Sequence, residues 1–219
     1  MSITEIFRRI TSYISFFYNS RTIQRVHSPF VFKLLNEIFQ DNKNKSDFDK
    51  INSLVKELKN NNTVIAQTDF GAPSEKSETT YATVNKKIKT IAKKVISSKQ
   101  EGKILYNLTK HFQPQIILEF GTSLGIGTSF LAMGNPSAKT ITMEGCPEIT
   151  KLAKKNFDKL NISNIEIIQG DFKNTLNNTL KNINKLDLVY FDGNHREKPT
   201  IEYFEKCLPK IHNNTIFIF

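Results

Sequence analysis

Five short apolar runs, at residues 116–120, 140–143, 165–168, 186–191 and 215–219, alternate with stretches of helical spacing. Their carboxyl ends fall roughly 25 residues apart, the length of one strand and one crossover helix. Such gaps fit crossover helices, so neighbouring strands are expected to run the same way. A parallel strand is buried on both faces, which is why the runs are predominantly apolar. The expected fold is therefore α/β, a mostly parallel sheet with helices on both faces.

That texture begins only after residue 100. Ahead of it, Ile3, Ile6, Phe7, Ile10, Tyr13, Ile14 and Phe17 form one apolar stripe at helical spacing. Ser28 is placed to cap a second helix with Pro29 at its first position, and a third helix is expected over 48–58. Residues 67–80 hold Gly, Pro and short polar residues without a period and read as a loop, long enough to be functional. Val84, Ile88, Ile91 and Val95, then Ile104, Leu105 and Leu108, predict two more helices. The expected organisation is a helical N-terminal extension or cap at 1–100, carrying the loop at 67–80, followed by a ligand-binding core at 101–219.

The formal charge is +10, and nearly all of the excess precedes residue 111. Lys86, Lys87, Lys89, Lys93 and Lys94 concentrate it. A solvated lysine face is the favoured reading, with nucleic-acid binding kept as its competitor. No run nears the ~18 to 20 apolar residues of a membrane span, and the N-terminus lacks a compact signal-peptide core, so the chain is read as cytoplasmic. Cys146 and Cys207, without a CxxC pair, argue against zinc or a disulfide framework. The first helix is expected to pack on its own domain or on a second subunit, which leaves a homo-oligomer open.

In an open parallel sheet, ligands bind beyond the carboxyl ends of the strands, where strand order reverses. The first run ends in LEFGTSLGIG, with Glu119 directly before a turn built on Gly121 and Gly125. Its spacing, G-x-x-x-G-x-G, is not the dinucleotide fingerprint G-x-G-x-x-G, and no G-x-x-x-x-G-K-[ST] phosphate loop is present. Glu144 ends the second run, 25 residues after Glu119, where a carboxylate can accept both hydroxyls of a ribose. Asp171 follows the third run; Asp192, Asn194 and His195 follow the fourth. Acids past four successive strands suit a ligand with ribose hydroxyls, an amino group and a positive centre better than a polyphosphate. S-adenosylmethionine has all three.

LEFGTSLGIGTSFLA resembles the first motif of class I S-adenosylmethionine-dependent methyltransferases, in the E-x-G-T-x-x-G form of bacterial small-molecule O-methyltransferase-like members. The resemblance covers roughly 102–219, and VHSPFVFKLL and TDFGA also look like segments of this group. It implies a Rossmann-like fold. It also implies that Glu119 holds the methionine amino group through the loop, that Gly121, Thr122, Ser123 and Gly125 lie along the cofactor, that Glu144 and Gly145 meet the ribose, and that Asp171 and Phe172 flank the adenine. Asp192, with His195 as a base, would face the acceptor. In catechol-type relatives a divalent metal is held by a carboxylate at this strand end, which makes Asp192 the candidate metal ligand here. Relatives continue with a helix and two further strands, so the resemblance implies that the last strands are missing and that the apolar TIFIF end leaves an exposed sheet edge.

The expected function is methyl transfer to a hydroxyl of a small molecule. The alternatives are a non-catalytic or truncated cofactor-binding protein, an RNA methyltransferase and an NAD-dependent oxidoreductase. Cys146-Pro147 reads as a helix start and not as a nucleophile site.

Overall fold

The computed structural model describes residues 3–20, 27–39, 45–73, 81–94 and 99–219. The chain divides into two compact units, Met1–Asp41 and Asn42–Phe219. The first holds α1 (Ile3–Asn19) and α2 (Pro29–Leu34), the latter running on into a π-helical turn at Leu35–Phe39. Ser28 caps α2, its side chain accepting from Val31 N, and Pro29 occupies the first turn, where its missing N–H costs nothing.

The second unit opens with α3 (Lys45–Asn60) and a two-stranded antiparallel hairpin, β1 (Val64–Pro73) and β2 (Tyr81–Lys87), then α4 (Ile88–Ala92) and α5 (Lys99–Phe112). This corrects two expectations. Residues 67–73 belong to β1 and not to a loop, while 74–80 lie outside the described residues. Val84 lies in β2, and the helix begins only at Ile88; Val95 is outside the described residues. β-branched and aromatic residues cluster in both segments, and Thr68 and Thr83 pair across the strands with hydroxyls 2.8 Å apart. Cross-strand pairing therefore prevailed over a four-residue apolar spacing that fits one helical turn equally well.

The core is a five-stranded parallel sheet: β3 (Ile116–Phe120), β4 (Lys139–Glu144), β5 (Ile165–Gln169), β6 (Leu188–Phe191) and β7 (Ile216–Ile218), in the order β5-β4-β3-β6-β7. The connecting helices are α6 (Ile126–Gly134), α7 (Pro147–Lys159), α8 (Phe172–Lys181) and α9 (Glu197–Cys207). One face buries Ile117 and Leu188 with Phe48, Ile51, Leu105 and Phe130 from α3, α5 and α6. The other buries Leu118, Phe120, Met143 and Val189 with Leu176, Leu180, Tyr203 and Cys207 from α8 and α9. Successive strand residues point to opposite faces, so both faces must be apolar and both are covered, as expected. Order reverses between β3 and β6, and the crevice at that switch point is where ligands enter such sheets. No helix among the described residues is long and apolar enough to cross a membrane.

Candidate active site

Register builds the site. Thr142, Glu119 and Tyr190 stand side by side on β4, β3 and β6 and, by alternation, share one face of the sheet. Two residues further along each chain come Glu144, Gly121 and Asp192. In the first row Glu119 and Thr142 are buried and Tyr190 is half-buried; it supports the second, which opens on a cleft of about 280 Å3.

In the supporting row, Glu119 is 1% exposed. Its Oε2 accepts from the hydroxyl of Thr142 at 2.6 Å and from that of Thr128, and Thr142 shares a 2.6 Å hydroxyl contact with Thr122. Burial drives the Glu119 carboxyl up to about 8, against the two hydroxyls, with the charges of Asp192 and Glu144 adding to the rise. Glu119 is thus a protonated acid at neutral pH when no cation is near.

In the upper row, Gly121 has φ +101° and packs so closely on the following loop that a Cβ would come within 2.5 Å of Asp192 O. Gly121 N and Thr122 N both donate to Met143 O, at 3.0 and 3.1 Å. The loop closes at Gly125, the N-cap of α6. Glu144 then ties the loop to the next helix: Oε2 accepts from Ser123 N at 3.0 Å and Oε1 from Cys146 N at 2.9 Å. Cys146 precedes Pro147 at the start of α7, as the sequence implied. Asp171 caps α8, accepting from Lys173 N at 3.0 Å, and Phe172 is held edge-on by Phe120 and Tyr203.

Asp192 is held above the usual carboxylate range, chiefly by lost hydration and also by Glu101, against the pull of His195 and a hydrogen bond from the Tyr190 hydroxyl. His195 Nε2 lies 4.0 Å from Asp192 Oδ1 and is largely exposed. Between them Asn194 adopts φ +54°, uncommon for a residue with a side chain. Its amide donates to Tyr203 OH at 3.1 Å and accepts from Arg196 Nε at 3.0 Å, which holds the loop in that shape.

Of the residues singled out in the sequence, Gly121, Ser123, Glu144, Gly145, Asp171, Phe172, Asp192 and His195 line the cleft. Glu119, Thr122 and Gly125 do not; they lie beneath or behind the loop. Gln67, Thr68 and Phe70 of β1, Ile149 of α7 and Tyr203 of α9 also line it and were not foreseen individually. The first three all fall within the 67–80 stretch marked in the sequence, and Thr68 and Phe70 within its TDFGA segment. No Lys or Arg lines the cleft among the described residues, and three carboxylates do. For a metal, those residues hold no group of three or more His, Cys, Asp or Glu; Asp192 and His195 stand without a third ligand.

A parallel sheet reversing between β3 and β6, with a glycine turn after β3 and an acid at the tip of β4, is the Rossmann-like arrangement of class I methyltransferases, and the chain has that fold. Residues 118–219 match the methyltransferase-domain family Methyltransf_24. The chain is 31% identical over 102 residues to a catechol O-methyltransferase of Mycobacterium tuberculosis, covering 46% of each chain. It is 28% identical over 124 residues to a catechol O-methyltransferase of Niastella koreensis, covering 55% of each. It thus spans about half the length of the curated relatives it matches. An O-methyltransferase from Bacillus cereus, solved in complex with SAH, shares the fold over 87% of this chain and 71% of its own, with a TM-score of 0.52 and 17% identity.

Proposed function

We propose that the cleft binds S-adenosylmethionine and that the protein transfers its methyl group to a hydroxyl of a small molecule. The observation that carries this reading is the row Glu144, Gly121, Asp192 at the switch point, in a cleft with carboxylates and no Lys or Arg among its lining residues. That donor set accepts from hydroxyls and ammonium groups and tolerates a sulfonium, whereas it would repel a pyrophosphate. The curated relatives named above as catechol O-methyltransferases support a hydroxyl acceptor.

When bound, S-adenosylmethionine supplies an electrophilic methyl group on a positively charged sulfur. Glu144, fixed by two backbone N–H groups, receives the ribose hydroxyls. The turn at Gly121 and Ser123 leaves room for the amino-acid end, beneath which Glu119 gives up its proton to offset the ligand's positive charge. Asp171 and Phe172 border the base. Alignment of the acceptor in line with the sulfur–methyl bond is the main source of rate. Asp192, with His195 beside it, takes the acceptor's proton, because a carboxyl raised toward neutrality is a better base than an ordinary one.

Titration calorimetry with S-adenosylhomocysteine and, separately, NAD tests the reading. Micromolar binding of the first without the second is expected; the reverse would overturn it. Methyl transfer to catechol, followed with labelled S-adenosylmethionine, then tests the acceptor class.

A further inference from the structure

We infer that the ligand's nucleobase is gripped by the hairpin, with Phe70 supplying the stacking face and Gln67 a hydrogen-bond partner. This rests on the reading of the cleft as an adenosine-containing cofactor site.

Three observations converge. First, β1 and β2 pair regularly from Val64↔Lys87 to Thr68↔Thr83, then lose register before Pro73↔Tyr81. Phe70 lies within that irregularity, and irregularities of this kind re-aim side chains beside functional sites. Second, the Phe70 ring lies directly against Gly145, where a Cβ would fall 2.4 Å from Phe70 Cδ2. Gly145 follows the ribose acid Glu144, so an apolar surface there stands next to the sugar, where the base must emerge. Residue 145 has no side chain to provide that surface; Phe70, arriving from another element, fills the volume a side chain at 145 would occupy. Third, Gln67 lines the same cleft, and its Oε1 is buried without a hydrogen-bond partner among the described residues. A buried acceptor left unpaired is costly, and the exocyclic amine of adenine is a donor of matching chemistry, a pairing amides make readily.

The hairpin is held where this requires. Thr68 N donates to Cys146 Sγ at 3.5 Å, and the thiol lies 3.6 Å from Ala66 O. The strand carrying Gln67 and Phe70 is thereby docked on the residue that follows Gly145.

Calorimetric titrations with S-adenosylhomocysteine and with 5′-methylthioadenosine, which keeps the base and ribose but lacks the amino acid, test the assignment. Phe70→Ala should weaken both ligands by a similar factor, roughly 10-fold or more. The double variant Phe70→Ala/Gly145→Leu, which grows an apolar side chain into the vacated volume, should regain part of that loss. Unchanged affinity in Phe70→Ala overturns the inference. So does a loss that accompanies a lowered melting temperature and is not regained in the double variant, since Phe70 would then only dock the hairpin. S-Inosylhomocysteine, with a carbonyl in place of the amine, should bind the wild type more weakly than S-adenosylhomocysteine and bind Gln67→Ala without that penalty; an equal penalty in both removes Gln67 from the site. Failure of the wild type to bind S-adenosylhomocysteine at all would instead sink the cofactor reading itself.

Discussion

Glu119 shows at the scale of one residue how a supporting side chain differs from a contact. It is fully buried and carries a carboxyl raised from 4.5 to about 8. The folded state therefore binds a proton more tightly than the unfolded chain. The stability this contributes is complete below the unfolded value and is lost as pH rises through the folded one. Chemical denaturation at about pH 5, 6.5 and 8 should show wild-type stability falling by a few kcal/mol across that window, and Glu119→Gln should flatten the slope. The same linkage predicts that S-adenosylmethionine binds more tightly as pH approaches 8 and that its measured enthalpy depends on the ionisation heat of the buffer, because the cation displaces the proton. Glu144→Gln should lower S-adenosylhomocysteine affinity by about 10-fold or more in the same calorimetric assay, since an amide cannot accept on both sides as a carboxylate does.

At the scale of elements, the site depends on how closely β3 and β6 end. Gly121 stands at φ +101° with Asp192 O in the place of a Cβ, so Gly121→Ala meets an unfavourable backbone conformation and a backbone clash together. We expect a destabilisation of about 1–3 kcal/mol in urea melts, together with loss of cofactor binding as the two loops part. This glycine was recognisable in the sequence because a glycine directly after an apolar run and a carboxylate is a turn signal. The hairpin was not. The four-residue step from Val84 to Ile88 matches one helical turn, but it crosses the boundary between β2 and α4, and what decides for the strand is its partner 15 to 23 residues earlier.

For the whole molecule, the two ends of the sheet have separate duties. At the end opposite the cleft, Asp187 accepts from Gln115 N and Ile116 N at 3.0 and 2.8 Å and pairs with His212 Nε2 at 2.8 Å. It thereby joins the entry of β3, the start of β6 and the approach to β7. Burial alone would raise this carboxyl, but the hydrogen bonds from Ile116, His212, Gln115 and Lys185 prevail and hold it below its usual range. The stability it adds is present above the unfolded pKa and lost as pH falls through the folded one. Asp187→Asn should cost about 1–3 kcal/mol near neutrality, shrink the acid-side loss of stability in denaturation curves, and leave S-adenosylhomocysteine affinity unchanged.

Much of this protein was legible in order of residues alone. Apolar runs at one-βα-unit intervals point to a parallel sheet, because such gaps fit crossover helices. A parallel sheet places its strand tips in one crevice, so Gly121, Glu144, Asp171 and Asp192 could be named as neighbours from spacing. Long-range packing settles which of them face the ligand and what else joins them. Glu119 and Thr122 lie under the loop because strand alternation and the turn at Ser123, φ +46°, send them into the core. Phe70 and Gln67 reach the cleft because a hairpin some 75 residues away in sequence docks on Cys146 and Gly145. Local pattern carries periodicity and turns; it carries no record of which distant surfaces will meet, since that is settled by packing and by the burial of paired backbone groups across the whole unit.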